Sequence, residues 1–166
     1  MGACKKDRVV EQLATLLQRK GWRMACAESC TGGWVAKTCT DLAGSSAWFD
    51  RAYVSYSDVA KVDMLHVKPA TLRRHGAVSE AVARQMAQGA LRSARVDAAL
   101  AVTGIAGPDG GSVEKPVGTV WFAWAVRDQK TEAECVQFAG DREAVRRQSV
   151  MHALQGLVHR LGTFTG

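Results

Sequence analysis

Only three of the 166 residues are proline, and no internal repeat or low-complexity segment interrupts the chain, which excludes a linker joining separate modules. One domain, 1–166, built around one core is therefore expected. Long hydrophobic runs are also missing. Every apolar stretch meets a charged residue well before bilayer length, and the opening MGACKKDRVV reaches Lys5, Lys6 and Asp7 without a signal segment. Lys6 stands where a myristoylation signal wants Ser or Thr. The expectation is a soluble, cytoplasmic protein with no membrane partner.

Cysteine occurs five times, as Cys4, Cys26, Cys30, Cys39 and Cys135, without CxxC spacing, so neither a disulfide framework nor a zinc site is suggested. These read as reduced thiols, mostly packing residues. His66, His75, His152 and His159 fall in no HxxxH or HxH pattern, and no metal is expected. The formal charge of +6 would suit an anionic partner. Its carriers are scattered, however, apart from the cluster DREAVRR, which favours a small phosphate ligand over nucleic acid. No helix-turn-helix, zinc knuckle or stacking-aromatic ribbon supports nucleic-acid binding.

Periodicity then sets out the elements. Val9, Val10, Leu13, Leu16 and Leu17 predict an amphipathic helix over roughly 6–20, closed by Gly21. A strand over 23–27 runs into the Gly32–Gly33 turn and a helix carrying Trp34, Val35 and Thr38, which DLAGSS ends. WFDRAYVSYS predicts a strand ending near Tyr56, and Ser57 caps a helix bearing Lys61 and Leu65. Pro69 opens a short helix, and Ser79 a long one through Val82, Met86, Ala90 and Leu91. AALAVTG reads as a buried strand leading into the long glycine-rich loop GIAGPDGGSVEKP. VGTVWFAWAV and TEAECVQFA form a hairpin whose turn, RDQK, lacks the usual Asn-Gly signal. Asp141 caps the last helix, with Val145, Met151, Leu154, Val158 and Leu161 as its buried stripe. The order α-β-α-β-α-α-α-β-β-β-α predicts a single-domain three-layer α/β/α sandwich with a mixed sheet and an antiparallel C-terminal hairpin.

Several segments carry chemistry. Ser29 stands where the first strand ends and the glycine turn begins, so its hydroxyl should leave the sheet edge where backbone N–H groups converge, as for a nucleophile beside an oxyanion hole. The blander reading is a helix cap. GxSxG is absent and no Ser-His-Asp order is visible, so another base is needed. Lys61 qualifies if partial desolvation and neighbouring cations remove its proton. Tyr56 and Lys61 straddle Ser57, a spacing that lets a strand-end phenol and a first-turn amine face one pocket. Glu28 can orient Ser29 or bind the hydroxyl groups of a ligand, or simply pair with a nearby base. Cys30 is a rival nucleophile, with a small packing residue as the favoured alternative. Thr31, Gly32 and Gly33 shape the turn and supply backbone donors.

TGIAGPDGGS lacks the Gly-Lys-Ser/Thr ending of a P-loop, yet its glycines allow an anion-binding nest. Thr103 can offer its hydroxyl to a ligand, or be a β-branched core residue. Arg142 occupies a first helical turn, where a cation is unhelpful to the helix dipole but well placed for a phosphate. Arg146 and Arg147 read as a solvated face, with Arg146 one turn on from Arg142.

Taken together, AESCTGGWVAK, GSSAWFDRAYVSYSDVAK, HGAVSE, VTGIAGPDGGSVEKPVGTVWFA and GDREAVRRQ closely resemble the CinA C-terminal domain family over nearly the whole chain. The stand-alone members of that family are nicotinamide-nucleotide amidohydrolases. The resemblance implies hydrolysis of the carboxamide of nicotinamide mononucleotide to nicotinic acid mononucleotide and ammonia, without metal or organic cofactor. It implies Ser29 as nucleophile with Lys61 and Tyr56 as partners, Thr103 and Gly104 lining the substrate pocket, and Arg142 as the phosphate clamp. A homodimer or higher homo-oligomer is implied as well. A non-catalytic nucleotide-binding regulatory module is the alternative on the same fold.

Overall fold

The computed structural model describes residues 5–163. In chain order the elements are α1 (Lys5–Lys20), β1 (Met24–Glu28), α2 (Trp34–Thr40), β2 (Phe49–Val54), α3 (Asp58–Leu65), α4 (Pro69–His75), α5 (Glu80–Ala94), β3 (Ala98–Gly104), β4 (Thr119–Val126), β5 (Glu132–Gln137) and α6 (Arg142–Gly162). This is the expected order with one addition, a short 3-10 turn at Ser45–Ala47. Capping follows the sequence: Ser57, Ser79 and Asp141 accept the N–H groups of Ala60, Val82 and Ala144, each contributing about 1 kcal/mol.

The five strands form one sheet in the order β2-β1-β3-β4-β5. β2, β1 and β3 run parallel, and β4 and β5 are antiparallel neighbours beyond them. The hairpin turn that lacked Asn-Gly is made by Asp128, whose positive φ of 59° does the work usually left to glycine.

Strand alternation gives the sheet two unlike faces. Met24, Cys26, Leu100, Val102, Phe122 and Trp124 point to one side, where α1, α2 and α6 cover them. Ala27, Ala99, Ala101, Ala123 and Ala125 point to the other, a nearly all-alanine surface on which α5 lies close. α5 is itself lined with Ala83, Ala87, Gly89 and Ala90 on its buried side. A Cβ at Gly89 would stand 2.0 Å from the carbonyl oxygen of Leu65, so this glycine lets α3 press against α5. That contact fixes α3, and with it Lys61, over the carboxyl ends of the parallel strands.

β2 and α6 differ from expectation. β2 stops at Val54 instead of near Tyr56, because the carbonyls of Ser55 and Tyr56 are taken by Lys61 and not by a strand. In α6 the buried face is Val145, Val150, Ala153, Leu154, Leu157 and Leu161, while Met151 and Val158 are only partly buried. Cys26, Cys30, Cys39 and Cys135 are free thiols, and Cys4 lies outside the described residues. Among the described residues no helix is long and apolar enough to cross a membrane.

Candidate active site

β1 ends at Glu28, but the amide of Ser29 still donates to Val102 of β3 at 3.0 Å, so the serine is held at the carboxyl edge of the sheet. In open parallel sheets that edge is where ligands bind. The chain then reverses through Gly32 and Gly33, at φ 58° and 100°, where any L side chain would be strained. The amide of Gly32 closes the reversal on the carbonyl of Ser29 at 3.1 Å.

Glu28 holds this turn from beneath. Its fully buried carboxylate accepts the backbone N–H groups of Gly33, Val35 and Ala36 at 3.2, 2.9 and 3.1 Å. Of the three expected readings, no basic side chain pairs with Glu28 among the described residues and no part of it is open to a ribose, whereas its hold on the turn after Ser29 fits an orienting role. A strand-end carboxylate aimed at the following helix start satisfies donors that would otherwise be buried and unpaired.

Lys61 comes from α3 to the same edge and is only 1% exposed. Its Nζ lies 3.1 Å from Ser29 Oγ, 3.0 Å from the carbonyl oxygen of Ser55 and 3.1 Å from that of Tyr56. Three acceptors match the three donors of an ammonium group, and none of them is charged. Burial holds the amine below the ordinary lysine range, while Asp58 and Cys30 pull in the opposite direction. Burial, and not the neighbouring cations expected from the sequence, is thus the cause. Ser55, which sequence reasoning missed, is fully buried and carries no side-chain signal, because its carbonyl does the holding.

Tyr56 departs from expectation. Its carbonyl, not its phenol, meets the lysine, because the chain leaves β2 two residues earlier and the Ser57 cap turns the carbonyls inward. The Tyr56 ring is 60% exposed, and its hydroxyl accepts from Arg142 Nη2 at 3.1 Å. Arg142 also donates through Nη1 to the carbonyl of Gly107 at 2.7 Å, tying the glycine-rich loop to the start of α6. Thr103 is buried and donates to the carbonyl of Ala77 at 3.0 Å, while Gly104 ends β3 opposite Val120. The Thr103 hydroxyl therefore anchors the HGAVSE segment, and Lys115 pins the loop to the same region through the carbonyl of His75 at 2.8 Å.

Cys30 is buried, and burial pushes its thiol up to about 11, which suits a packing residue and not a thiolate nucleophile. Arg146 is not solvated as expected. Its Nε and Nη2 donate to the carbonyls of Cys30 and Thr31 at 3.0 and 3.1 Å, and the guanidinium lies 5.4 Å from the centre of the Trp34 ring. The only sequence signal was its position one turn after Arg142. Thr31, Gly32 and Gly33 turn toward a cavity of about 810 Å³ between α2 and α6, which Ser29, Lys61, Tyr56 and Arg142 do not line. Among the described residues no group of three or more His, Cys, Asp or Glu could hold a metal ion.

Known proteins share this arrangement of elements. Nicotinamide-nucleotide amidohydrolase PncC of Escherichia coli is 58% identical over 149 residues, covering 89% of each chain. The protein of the same name from Enterobacter agglomerans is 56% identical over 144 residues, covering 87% of this chain and 88% of its own. The crystal structure of competence damage-inducible protein A from Klebsiella pneumoniae superposes with a TM-score of 0.93 at 42% identity, covering 98% of this chain and all of the other. The competence/damage inducible protein of Agrobacterium tumefaciens superposes with a TM-score of 0.93 at 41% identity, over 98% of both chains. The model of the CinA C-terminal domain matches residues 6–161, and with relatives this similar along nearly its whole length, the chain belongs to the CinA C-terminal domain family.

Proposed function

We propose that this protein hydrolyses the carboxamide of nicotinamide mononucleotide to nicotinic acid mononucleotide and ammonia, with Ser29 as nucleophile and Lys61 as its base. The observation that carries this reading is the buried amine 3.1 Å from a serine hydroxyl at the carboxyl edge of the sheet, hydrogen-bonded only to neutral acceptors and held below the ordinary lysine range by burial, against the opposing pull of Asp58. Relatives at 56–58% identity that bear the name nicotinamide-nucleotide amidohydrolase support the substrate class.

Neutral Lys61 takes the proton of Ser29 as Oγ adds to the carboxamide carbon. Within the turn, the amides of Ser29, Gly32, Gly33 and Trp34 already serve protein acceptors. Those of Cys30 and Thr31 meet no backbone or carboxylate acceptor among the described residues, which supports them as the oxyanion donors, with the Cys30 amide turned from its own thiol to the oxyanion. The protonated Lys61 returns its proton to the leaving nitrogen, ammonia departs, and nicotinic acid mononucleotide remains as an ester on Ser29. Water then adds to the ester, giving its proton to Lys61, and Lys61 reprotonates Ser29 as the acid leaves. Arg142, held by Tyr56 and Gly107, meets the substrate phosphate beside the start of α6.

The test is release of ammonia and nicotinic acid mononucleotide by purified, chelator-treated protein, with Ser29→Ala alongside. Turnover by the wild type alone is expected. Nucleotide binding without turnover in a folded wild type would sink the reading and leave a regulatory module.

A further inference from the structure

We propose that the cavity beside the catalytic turn is a second ligand site, for an organic anion of nucleotide size, and that its occupant acts on the turn through Arg146. The cavity holds about 810 Å³, within the range of about 300–1,000 Å³ typical of small-molecule sites. Trp34, Val150 and Met151 give it an apolar wall, and Lys6, Lys37, Arg146 and Arg147 surround that wall with cations.

Among the described residues no carboxylate lines the cavity. Lys6 and Lys37 share the single carboxylate of Asp41 at 3.0 and 2.9 Å, and Arg147 approaches Glu143 only to 3.9 Å. Arg146 has no carboxylate partner among the described residues. Four cations thus face two carboxylates, and the surplus is positive. Thr31 and Thr38 pack into the cavity wall with their hydroxyls buried beneath it, so the surface offered to a ligand is the apolar wall and the cations. A ligand carrying phosphate or carboxylate on a flat apolar body answers the cations and the Trp34 wall together.

Arg146 connects this cavity to the nucleophile. It lines the cavity and also holds the carbonyls of Cys30 and Thr31, the two residues after Ser29. A ligand oxyanion offers Arg146 charge-assisted bonds stronger than those to neutral carbonyls. Occupancy therefore draws Arg146 off the turn and lowers turnover, by as much as the ligand prefers the released arrangement. The regulatory half rests on the amidohydrolase reading, whereas the binding half does not.

The test uses adenosine 5′-monophosphate as probe, with adenosine and inorganic phosphate as controls, titrated calorimetrically against the full chain. The monophosphate should bind saturably and each control at least tenfold more weakly. Lys37→Glu/Met151→Glu should weaken binding at least tenfold, while Arg142→Ala should leave it within about twofold. Lys37 is 68% exposed, so Lys37→Glu alone serves if the double variant does not fold, with at least a threefold loss expected. Inhibition of wild-type turnover should vanish in the same variants. Absence of saturable binding, undiminished binding in these variants, or loss in Arg142→Ala alone would overturn the proposal, as would binding without inhibition in an active enzyme. The expected binding pattern in a protein without turnover would instead overturn the amidohydrolase reading and leave the second site standing.

Discussion

Lys61 Nζ and Ser29 Oγ lie 3.1 Å apart although 32 residues separate them, one at the end of β1 and the other on α3. The approach depends on the alanine face of the sheet and on Gly89, which together let α5 and α3 settle close to the strands. If the pair acts as nucleophile and base, Ser29→Ala and Lys61→Met should each lower kcat by at least about a thousandfold, and the double variant by little more than either, as for groups acting as one unit. Ser29→Ala should cost no more than about 1 kcal/mol of stability, because Lys61 keeps two carbonyl acceptors. Chemical denaturation beside steady-state kinetics separates the two effects. Additive losses in the double variant would dissolve the pair.

The pH profile has a definite sign. Burial lowers the Lys61 pKa below its unfolded value, so between the two values the unfolded chain binds more protons. Stability should therefore rise with pH across that interval, with the penalty fully present below the folded pKa. The base must be neutral to act, so kcat/KM should rise with pH and level off below the ordinary lysine value of about 10.4. Lys61→Met should abolish both trends. A wild-type profile that rises only above that value would remove Lys61 as the base.

Cys30 should be chemically silent. With its thiol near 11, roughly one part in a thousand is thiolate at pH 8. Iodoacetamide should label the exposed Cys135 before Cys26, Cys30 or Cys39, without loss of turnover. Cys30→Ala should keep activity within about threefold. Inactivation that tracks modification of Cys30, read by peptide mapping, would reinstate the thiol as nucleophile.

Much of this was legible in the sequence, and the rest was not for a common reason. Caps at Ser57, Ser79 and Asp141 and the apolar runs of β3 and β4 are local signals, and the elements follow them. Contacts made by main-chain atoms leave no trace in residue identity. The carbonyls of Ser55 and Tyr56 hold Lys61, those of Cys30 and Thr31 hold Arg146, and the N–H groups of Gly33, Val35 and Ala36 occupy Glu28. At Tyr56 the sequence displays a phenol, whereas the group that meets Lys61 is the carbonyl. The role of Gly89 was equally hidden, since it depends on a helix brought close by tertiary packing.

Glu28 offers a test of that main-chain logic. Glu28→Gln keeps the shape but replaces one carboxylate acceptor with an amide donor facing N–H groups. A loss of about 1–3 kcal/mol is expected, and Glu28→Ala should lose more. Because the turn carries Ser29, kcat should fall while KM changes little. A KM effect confined to the ribose-bearing substrate would instead give Glu28 the binding role its burial argues against.

Gly89→Ala probes the same site from a distance. The added Cβ would stand 2.0 Å from the Leu65 carbonyl, and backbone cannot yield as a flexible side chain can. Overpacking of this kind costs about 1–3 kcal/mol, or roughly 2–12 °C in Tm for a chain of this length. The displaced element is α3, so Lys61 moves and kcat should fall further than the stability loss explains. Unchanged kcat in the folded fraction would show that Lys61 is positioned without α5.

Arg142 separates recognition from chemistry. The guanidinium is exposed, fixed by Gly107 and Tyr56, and free of any carboxylate partner among the described residues. Such a group is prepared for an anion without having to give up a salt bridge. Hydrogen bonds to a charged partner contribute about 1.5–3 kcal/mol, so Arg142→Ala should lower kcat/KM for nicotinamide mononucleotide by about 10- to 150-fold. Nicotinamide riboside lacks the phosphate and should be processed equally by variant and wild type. Tyr56→Phe removes only one of the two anchors and should fall between them, through KM more than kcat. An equal loss on both substrates would mean that Arg142 serves the loop at Gly107 rather than the phosphate, and the specificity for a nucleotide would have to come from elsewhere.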